Sequence, residues 1–157
     1  MGLSPVHPRV LADLGRALSL ELTAVQQYLT QAVLLELWGD SDSADRFRRE
    51  TVEEMQHAER IVQRMISLGV APGASQLQPV HHASDLLGLL RLNRSLEAQL
   101  VAHYAEAAAL CQRIGDGDNE AFFQDLWREE RQHGEALESW LSSLETLPSA
   151  ALARAAM

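Results

Sequence analysis

Apolar residues recur with the period of an α-helix over four long stretches of the chain. The stretches cover about residues 8–38, 41–68, 84–114 and 120–147, and the turn-forming run 115–119 separates the last two. Ser41 or Asp42 is a suitable cap for the second stretch, and Ser84 and Asp85 open the third. The pattern therefore predicts an all-α chain with four long helices.

The connections between these helices predict the topology. The first and last connections are a handful of residues, so each joins antiparallel neighbours. The middle connection, residues 70–82, is rich in turn residues and would reach about 43 Å if extended. A helix of about 27 residues is about 40 Å long. The middle connection can therefore run the length of a four-helix bundle and make helices two and three parallel.

Length, composition and charge narrow the class of protein. The 157 residues suit a single domain, 1–157, with a bundle over about 8–147 and a short C-terminal helix or tail over 148–157. The net charge of −9 disfavours nucleic acid as a partner. No apolar run approaches the roughly 18 residues that a membrane span needs, and no secretory signal follows Met1. We expect no membrane partner and a cytoplasmic location.

In each helix, apolar residues recur with a seven-residue repeat and form a seam along one face. One glutamate near the middle of the helix interrupts each seam. These residues are Glu21, Glu54, Glu97 and Glu130. Four buried carboxylates without a counter-charge would repel one another and lose their hydration. The seams therefore predict a positive charge at the centre of the bundle.

An internal repeat assigns that charge to metal ions. Glu21 precedes Glu54 by the same number of residues as Glu97 precedes Glu130. Each of the second glutamates begins a Glu-x-x-His motif, which ends at His57 and His133. One constant offset therefore relates the two sets. Glu and His at i and i+3 share one helical face, so each pair can serve one metal site. A lone Glu-x-x-His is common on charged helix surfaces, whereas two matched copies in apolar seams are not. The predicted ligands of two iron or manganese ions are Glu21, Glu54, His57, Glu97, Glu130 and His133.

The segments 20–28, 54–60 and 130–133 make the chain resemble bacterioferritin, a ferritin-like family, over about residues 9–147. The resemblance implies that Glu21 and His57 hold one iron, Glu97 and His133 hold the other, and Glu54 and Glu130 bridge them. It also implies a ferroxidase that oxidises ferrous iron with dioxygen or peroxide and stores it as mineral in a shell. Tyr28 resembles the family's tyrosine beside the centre, where it would hydrogen-bond a ligand carboxylate.

Met55 follows a predicted ligand and therefore points out of the bundle. The resemblance implies that it binds haem b, with one methionine from each subunit of a two-fold dimer. The alternative is an interface methionine that fills a gap without haem. The residues expected to line a haem pocket are Leu22, Gln26, Leu29, Trp38 and Val52.

The resemblance also implies a homodimer that builds a shell of about 24 subunits, alone or with a sister subunit. Relatives usually carry a fifth helix where this chain has only residues 148–157, which are long enough for about two helical turns.

Two other functions compete with storage. A non-storing di-iron oxidase or peroxidase, similar to rubrerythrin, usually adds a segment with paired cysteines, whereas this chain has only Cys111. A metal-free interaction bundle would leave the matched carboxylates unexplained. We interpret Cys111 as a small core residue. Packing or surface positions, without a role in the site, are assigned to His7, His81, His82, His103, Trp127 and Trp140.

Overall fold

Residues 5–147 are described by a computed structural model, and they form four helices in a bundle. The helices are α1 (Pro8–Leu37), α2 (Ser41–Ser67), α3 (Leu86–Ile114) and α4 (Gly117–Glu145). The prediction of an all-α bundle is confirmed, since the described part of the chain contains no strand. The predicted helix or tail at 148–157 lies outside the described residues.

Three of the four helices begin at an aspartate cap. The side chains of Asp40, Asp85 and Asp116 each accept a hydrogen bond from the backbone N–H three residues further along. The predicted caps Ser41 and Asp42 are wrong, because the helix begins at Ser41 and Asp40 caps it by accepting from the Ser43 N–H. The predicted start of α4 at residue 120 is also too late, because Asp116 caps the helix at Gly117.

Glycines end the first three helices. Gly39, Gly69 and Gly115 have φ angles of 84°, 79° and 76°, in the left-handed region that residues with a Cβ rarely adopt. The last turn of α3 closes at Gly115, whose N–H bonds the Gln112 carbonyl. These stops leave only short connections after α1 and α3, so each connection joins two antiparallel helices.

Side-chain pairs across the bundle show in which direction each helix runs. Tyr28 meets Glu97 while Glu21 meets Tyr104, so α1 and α3 run antiparallel. Likewise Arg60 bonds Glu129 near the middle of α2 and α4, whereas Arg64, one turn later in α2, bonds Asn119 at the start of α4. Since α1 is also antiparallel to α2, helices α2 and α3 are parallel, as the length of the middle connection predicts.

The connection from α2 to α3 is longer than predicted and packs across the bundle. It occupies residues 68–85 rather than 70–82. The backbone N–H groups of Gln76 and Gln78 bond the hydroxyls of Ser19 and Thr23 on α1. The side chain of Gln78 also bonds Gln99 on α3. These contacts attach the crossover to both helices that it passes.

The inward faces of all four helices form one apolar core. Its largest fully buried side chains include Phe47, Phe123, Leu14, Leu35, Leu100 and Tyr104. None of the described helices has the length and apolarity needed to cross a bilayer. The core encloses the predicted ligands at mid-height, where each seam changes from apolar to acidic.

Candidate metal centre

The structure brings all six predicted ligands together in the middle of the bundle. They form two groups whose potential ligand atoms lie within 4.8 Å of one another: Glu21, Glu54, His57 and Glu130 in one, and Glu54, Glu97, Glu130 and His133 in the other. Glu54 and Glu130 belong to both groups. This sharing is the geometry expected of two adjacent metal positions joined by two carboxylates.

Both histidines turn Nδ1 towards the carboxylates. His57 Nδ1 lies 2.7 Å from Glu130 Oε1 and 3.5 Å from Glu21 Oε1. His133 Nδ1 lies 2.9 Å from Glu54 Oε1 and 3.6 Å from Glu130 Oε2. The rings stack with centroids 5.6 Å apart and an interplanar angle of 19°. Each histidine of one helical hairpin thus meets a glutamate of the other.

The pKa values of these groups reflect crowded, buried charge. Burial and the charge of Glu130 raise the pKa of Glu21 to about 7. Burial and neighbouring carboxylates also raise the pKa values of Glu54 and Glu97 well above their usual range. Burial alone would lower the pKa of His57, but bonds to Glu130 and Glu21 raise it to about 10. Among the protein groups alone, protons therefore offset part of the negative charge.

Each of the four ligand glutamates has one buried oxygen that no protein group satisfies. These atoms are Oε2 of Glu21, Glu54, Glu97 and Glu130. Buried acceptors are nearly always paired, so four unpaired acceptors in one cluster require a common partner. Two divalent cations would balance the four carboxylates, and mixed oxygen and imidazole donors suit iron or manganese. The residues therefore fit a pair of such ions.

Two tyrosines hold two of these carboxylates from across the bundle. The Tyr28 hydroxyl donates to Glu97 Oε1 at 2.8 Å, and the Tyr104 hydroxyl donates to Glu21 Oε1 at 2.6 Å. The sequence identified Tyr28 but missed this role for Tyr104, although Tyr104 follows Glu97 at the same spacing at which Tyr28 follows Glu21. The repeat was thus a sufficient signal for the second tyrosine.

We expect Tyr28→Phe and Tyr104→Phe each to lower the free energy of unfolding of the metal-free protein by about 1–3 kcal/mol, because each leaves a buried carboxyl oxygen without its donor. Chemical denaturation at one fixed protein concentration would measure both. Equal losses in the two variants would reflect the internal symmetry. A loss in only one of them would contradict the equivalence of the two tyrosines.

Buried polar side chains beyond the ligands connect α1 to α3. Gln27 Nε2 donates to Asn93 Oδ1 at 2.8 Å, and Asn93 Nδ2 donates to Gln31 Oε1 at 2.6 Å. His103, to which the sequence assigned no role, is buried, and its Nε2 lies 2.9 Å from the Asp13 carbonyl oxygen. His103 lies outside the apolar seam of α3 and is buried because this helix also buries the face that meets α1.

The remaining residues that were predicted to pack or to lie at the surface are found in the core or at the surface. Cys111 is buried in the core. His7 caps α1 by accepting from the Arg9 N–H, and its side chain is exposed. His81 and His82 are exposed in the crossover. Trp127 and Trp140 are half-buried and pack against the core.

Met55 lies outside the centre, on the outer surface of α2. Its side chain is 48% exposed, and Val52, one turn earlier, is also exposed. Leu29, Val33 and Leu37 form an exposed apolar stripe on α1 at four-residue spacing. Of the other residues expected to line a haem pocket, Gln26 is exposed and Leu22 and Trp38 are half-buried. An exposed apolar face of this kind on α1 and α2 is available for contact with a partner.

Comparisons with known proteins identify the family. The family model of the ferritin-like domain matches residues 11–147. A bacterioferritin of Brucella melitensis is 32% identical over 138 residues, which cover 88% of this chain and 86% of the relative. The chain belongs to the bacterioferritin family.

Two further relatives agree with this membership. A bacterioferritin of Rhodobacter capsulatus is 32% identical over 139 residues, covering 88% of this chain and 86% of the relative. A solved structure of Rhodobacter capsulatus bacterioferritin superposes with a TM-score of 0.90 at 29% identity, covering 98% of this chain and 96% of that chain. That structure is described as having a metal-free dinuclear site and a haem iron in a crystallographic special position. The bacterioferritin fold predicted here is thereby confirmed.

Proposed function

We propose that this bacterioferritin oxidises ferrous iron at the six-residue centre and stores the product as ferric mineral inside an oligomeric shell. The proposal rests above all on two ligand groups that share Glu54 and Glu130 and on the four unpaired carboxylate oxygens around them. Glu21 and His57 would hold one iron, Glu97 and His133 the other, and the two shared glutamates would bridge them. Bound iron supplies the redox chemistry, in which each ferrous ion gives one electron to dioxygen or peroxide.

The protein groups orient the ligands and manage protons in this scheme. Tyr28 and Tyr104 keep one oxygen of Glu97 and Glu21 in a fixed direction, which leaves the other oxygen free for metal. The raised pKa of His57 means that its Nδ1 must lose a proton before it can bind iron. Iron binding should therefore release a proton. The surrounding core keeps bulk water away from the centre.

Aerobic loading with ferrous iron tests the proposal. Size-exclusion chromatography with light scattering should show a particle near 420 kDa, about 24 chains of 17.4 kDa, carrying far more than two irons per chain. A particle that stops at about two irons per chain would contradict storage and favour the non-storing oxidase. No iron binding at all would contradict the metal centre itself.

We further propose that Met55 binds haem b at a two-fold dimer interface formed by the exposed apolar face of α1 and α2. The support is its family position and its exposure beside Val52. We expect Met55→Leu to lose the visible haem band while iron loading persists, because leucine keeps the apolar volume but has no sulfur ligand.

The control for the haem prediction is Met65→Leu. Met65 is buried in the core and faces away from the proposed interface, so this variant should retain the haem band. Visible spectra of purified particles, normalised to protein, provide the measurement. Undiminished haem in Met55→Leu would contradict the assignment of Met55 and leave iron storage untouched.

A further inference from the structure

The two histidines of the centre differ in what holds their outward nitrogens. His133 Nε2 lies 2.6 Å from Glu53 Oε2, within hydrogen-bond distance. His57 Nε2 lies 3.7 Å from Glu129 Oε2, which is too far for a hydrogen bond. Glu53 and Glu129 each directly precede the glutamate of a Glu-x-x-His pair, so they occupy equivalent places in the internal repeat. The two halves of the repeat therefore have the same residue type at this position, but its contact with the histidine differs between them.

Arg60 accounts for the difference. Its guanidinium donates to Glu129 Oε2, the same oxygen that faces His57. The position equivalent to Arg60 in the second half of the chain is Ala136, which has no polar group to offer Glu53. Glu129 is therefore bound by an arginine, whereas Glu53 is free to serve His133 alone.

The surroundings of His133 make its contact with Glu53 more important. The His133 side chain is 17% exposed, compared with 6% for His57. A cavity of about 20 Å³, lined by Ala136, Tyr28 and Glu50 among others, lies beside the His133 ring. A ring with a cavity on one side is held less firmly by packing than one buried on all sides. Glu53 must then supply the orientation that packing does not.

Metal binding at Nδ1 leaves the ring proton of a neutral histidine on Nε2. That proton needs an acceptor, and a carboxylate acceptor both fixes the ring and makes the imidazole a stronger ligand. We infer that Glu53 is the positioning residue for the metal position at His133, and that Glu129 has no equivalent role for His57. The inference rests on the proposed two-metal centre.

Cobalt(II) titration of the metal-free assembled protein tests the inference, with visible absorption and calorimetry as readouts. We expect Glu53→Ala to weaken one of the two equivalents by about 10–100-fold, while Glu129→Ala keeps both within about threefold. Glu53→Gln keeps an acceptor oxygen and should recover part of the lost affinity. A Gln variant as weak as the Ala variant would overturn positioning of the His133 ring through this contact.

A double-mutant cycle assigns the affected equivalent. In a His133→Ala background, Glu53→Ala should have no further effect, because the residue acts only through that ring. Independent, additive losses would overturn the inference. The inference would also be overturned if Glu53→Ala kept both equivalents of the centre and lost only a third, weaker cobalt equivalent. Glu50, Glu53 and His133 would then form a separate metal group.

Two results distinguish failure of this inference from failure of the proposed function. A wild-type protein that binds no cobalt would contradict the two-metal centre. A wild-type protein with two equivalents that Glu53→Ala leaves unchanged would contradict only the role of Glu53. Thermal unfolding of each metal-free variant serves as the folding control, and Glu53, about half exposed, should tolerate truncation.

Discussion

Glu130→Ala is expected to slow ferrous oxidation by at least about 100-fold, because even an outer partner of a metal ligand typically accounts for about 10–100-fold and Glu130 is shared by both metal groups. Its two oxygens face both histidines, at 2.7 Å from His57 and 3.6 Å from His133. The other shared glutamate, Glu54, is itself a member of both metal groups, so it cannot also take the place of Glu130. Stopped-flow absorbance after mixing with ferrous iron and dioxygen would measure the rate.

The control for Glu130→Ala is Glu59→Gln. Glu59 is an exposed carboxylate two residues after His57, and the change should leave the oxidation rate unchanged. Cobalt(II) binding to Glu130→Ala, measured in parallel, should show that both equivalents are weakened. Oxidation at more than about a tenth of the wild-type rate would contradict a bridging role for this carboxylate.

Phe47→Ala is expected to lower the free energy of unfolding by about 3–5 kcal/mol, the usual cost of truncating a fully buried aromatic side chain. Phe47 is 1% exposed. Its ring packs edge-on against Tyr28 and Trp140, with both centroid distances 5.8 Å. Because Tyr28 bonds Glu97, the resulting cavity would also loosen one ligand of the centre.

Denaturant unfolding of the metal-free protein at a fixed concentration would measure this loss. Ile66→Ala is the matched control on the same helix, since Ile66 is 62% exposed and its truncation removes little buried surface. A loss below about 1 kcal/mol for Phe47→Ala would mean that neighbouring side chains collapse into the cavity. The aromatic contacts would then not support Tyr28 as described.

The accuracy of the sequence-based predictions differs between contacts within a helix and contacts between helices. The i, i+3 spacing of Glu54 and His57 places both side chains on one face in any regular helix. The matching pair Glu130 and His133 follows from the same geometry. Such contacts depend only on helical pitch, which is why these two pairs could be predicted from the spacing of the residues alone.

Contacts between helices required the tertiary structure. Tyr28 lies two turns from Glu21 on α1, yet its hydroxyl bonds Glu97 on α3. The antiparallel arrangement of α1 and α3 causes this exchange, because each tyrosine reaches across to the ligand of the other hairpin. The same packing buries His103, although it lies outside the apolar seam of α3.

Periodicity and spacing are local properties of the chain, so they were enough to predict the helical class, the long crossover and the carboxylate and imidazole groups of the centre. The sequence also shows an arginine at position 60 and an alanine at the equivalent position 136, but it does not indicate what these residues contact. The packing of the helices brings Arg60 to Glu129 and leaves Glu53 in contact with His133. The relative rotation and axial offset of α2 and α4 decide such pairings, and they arise from the packing of the whole core.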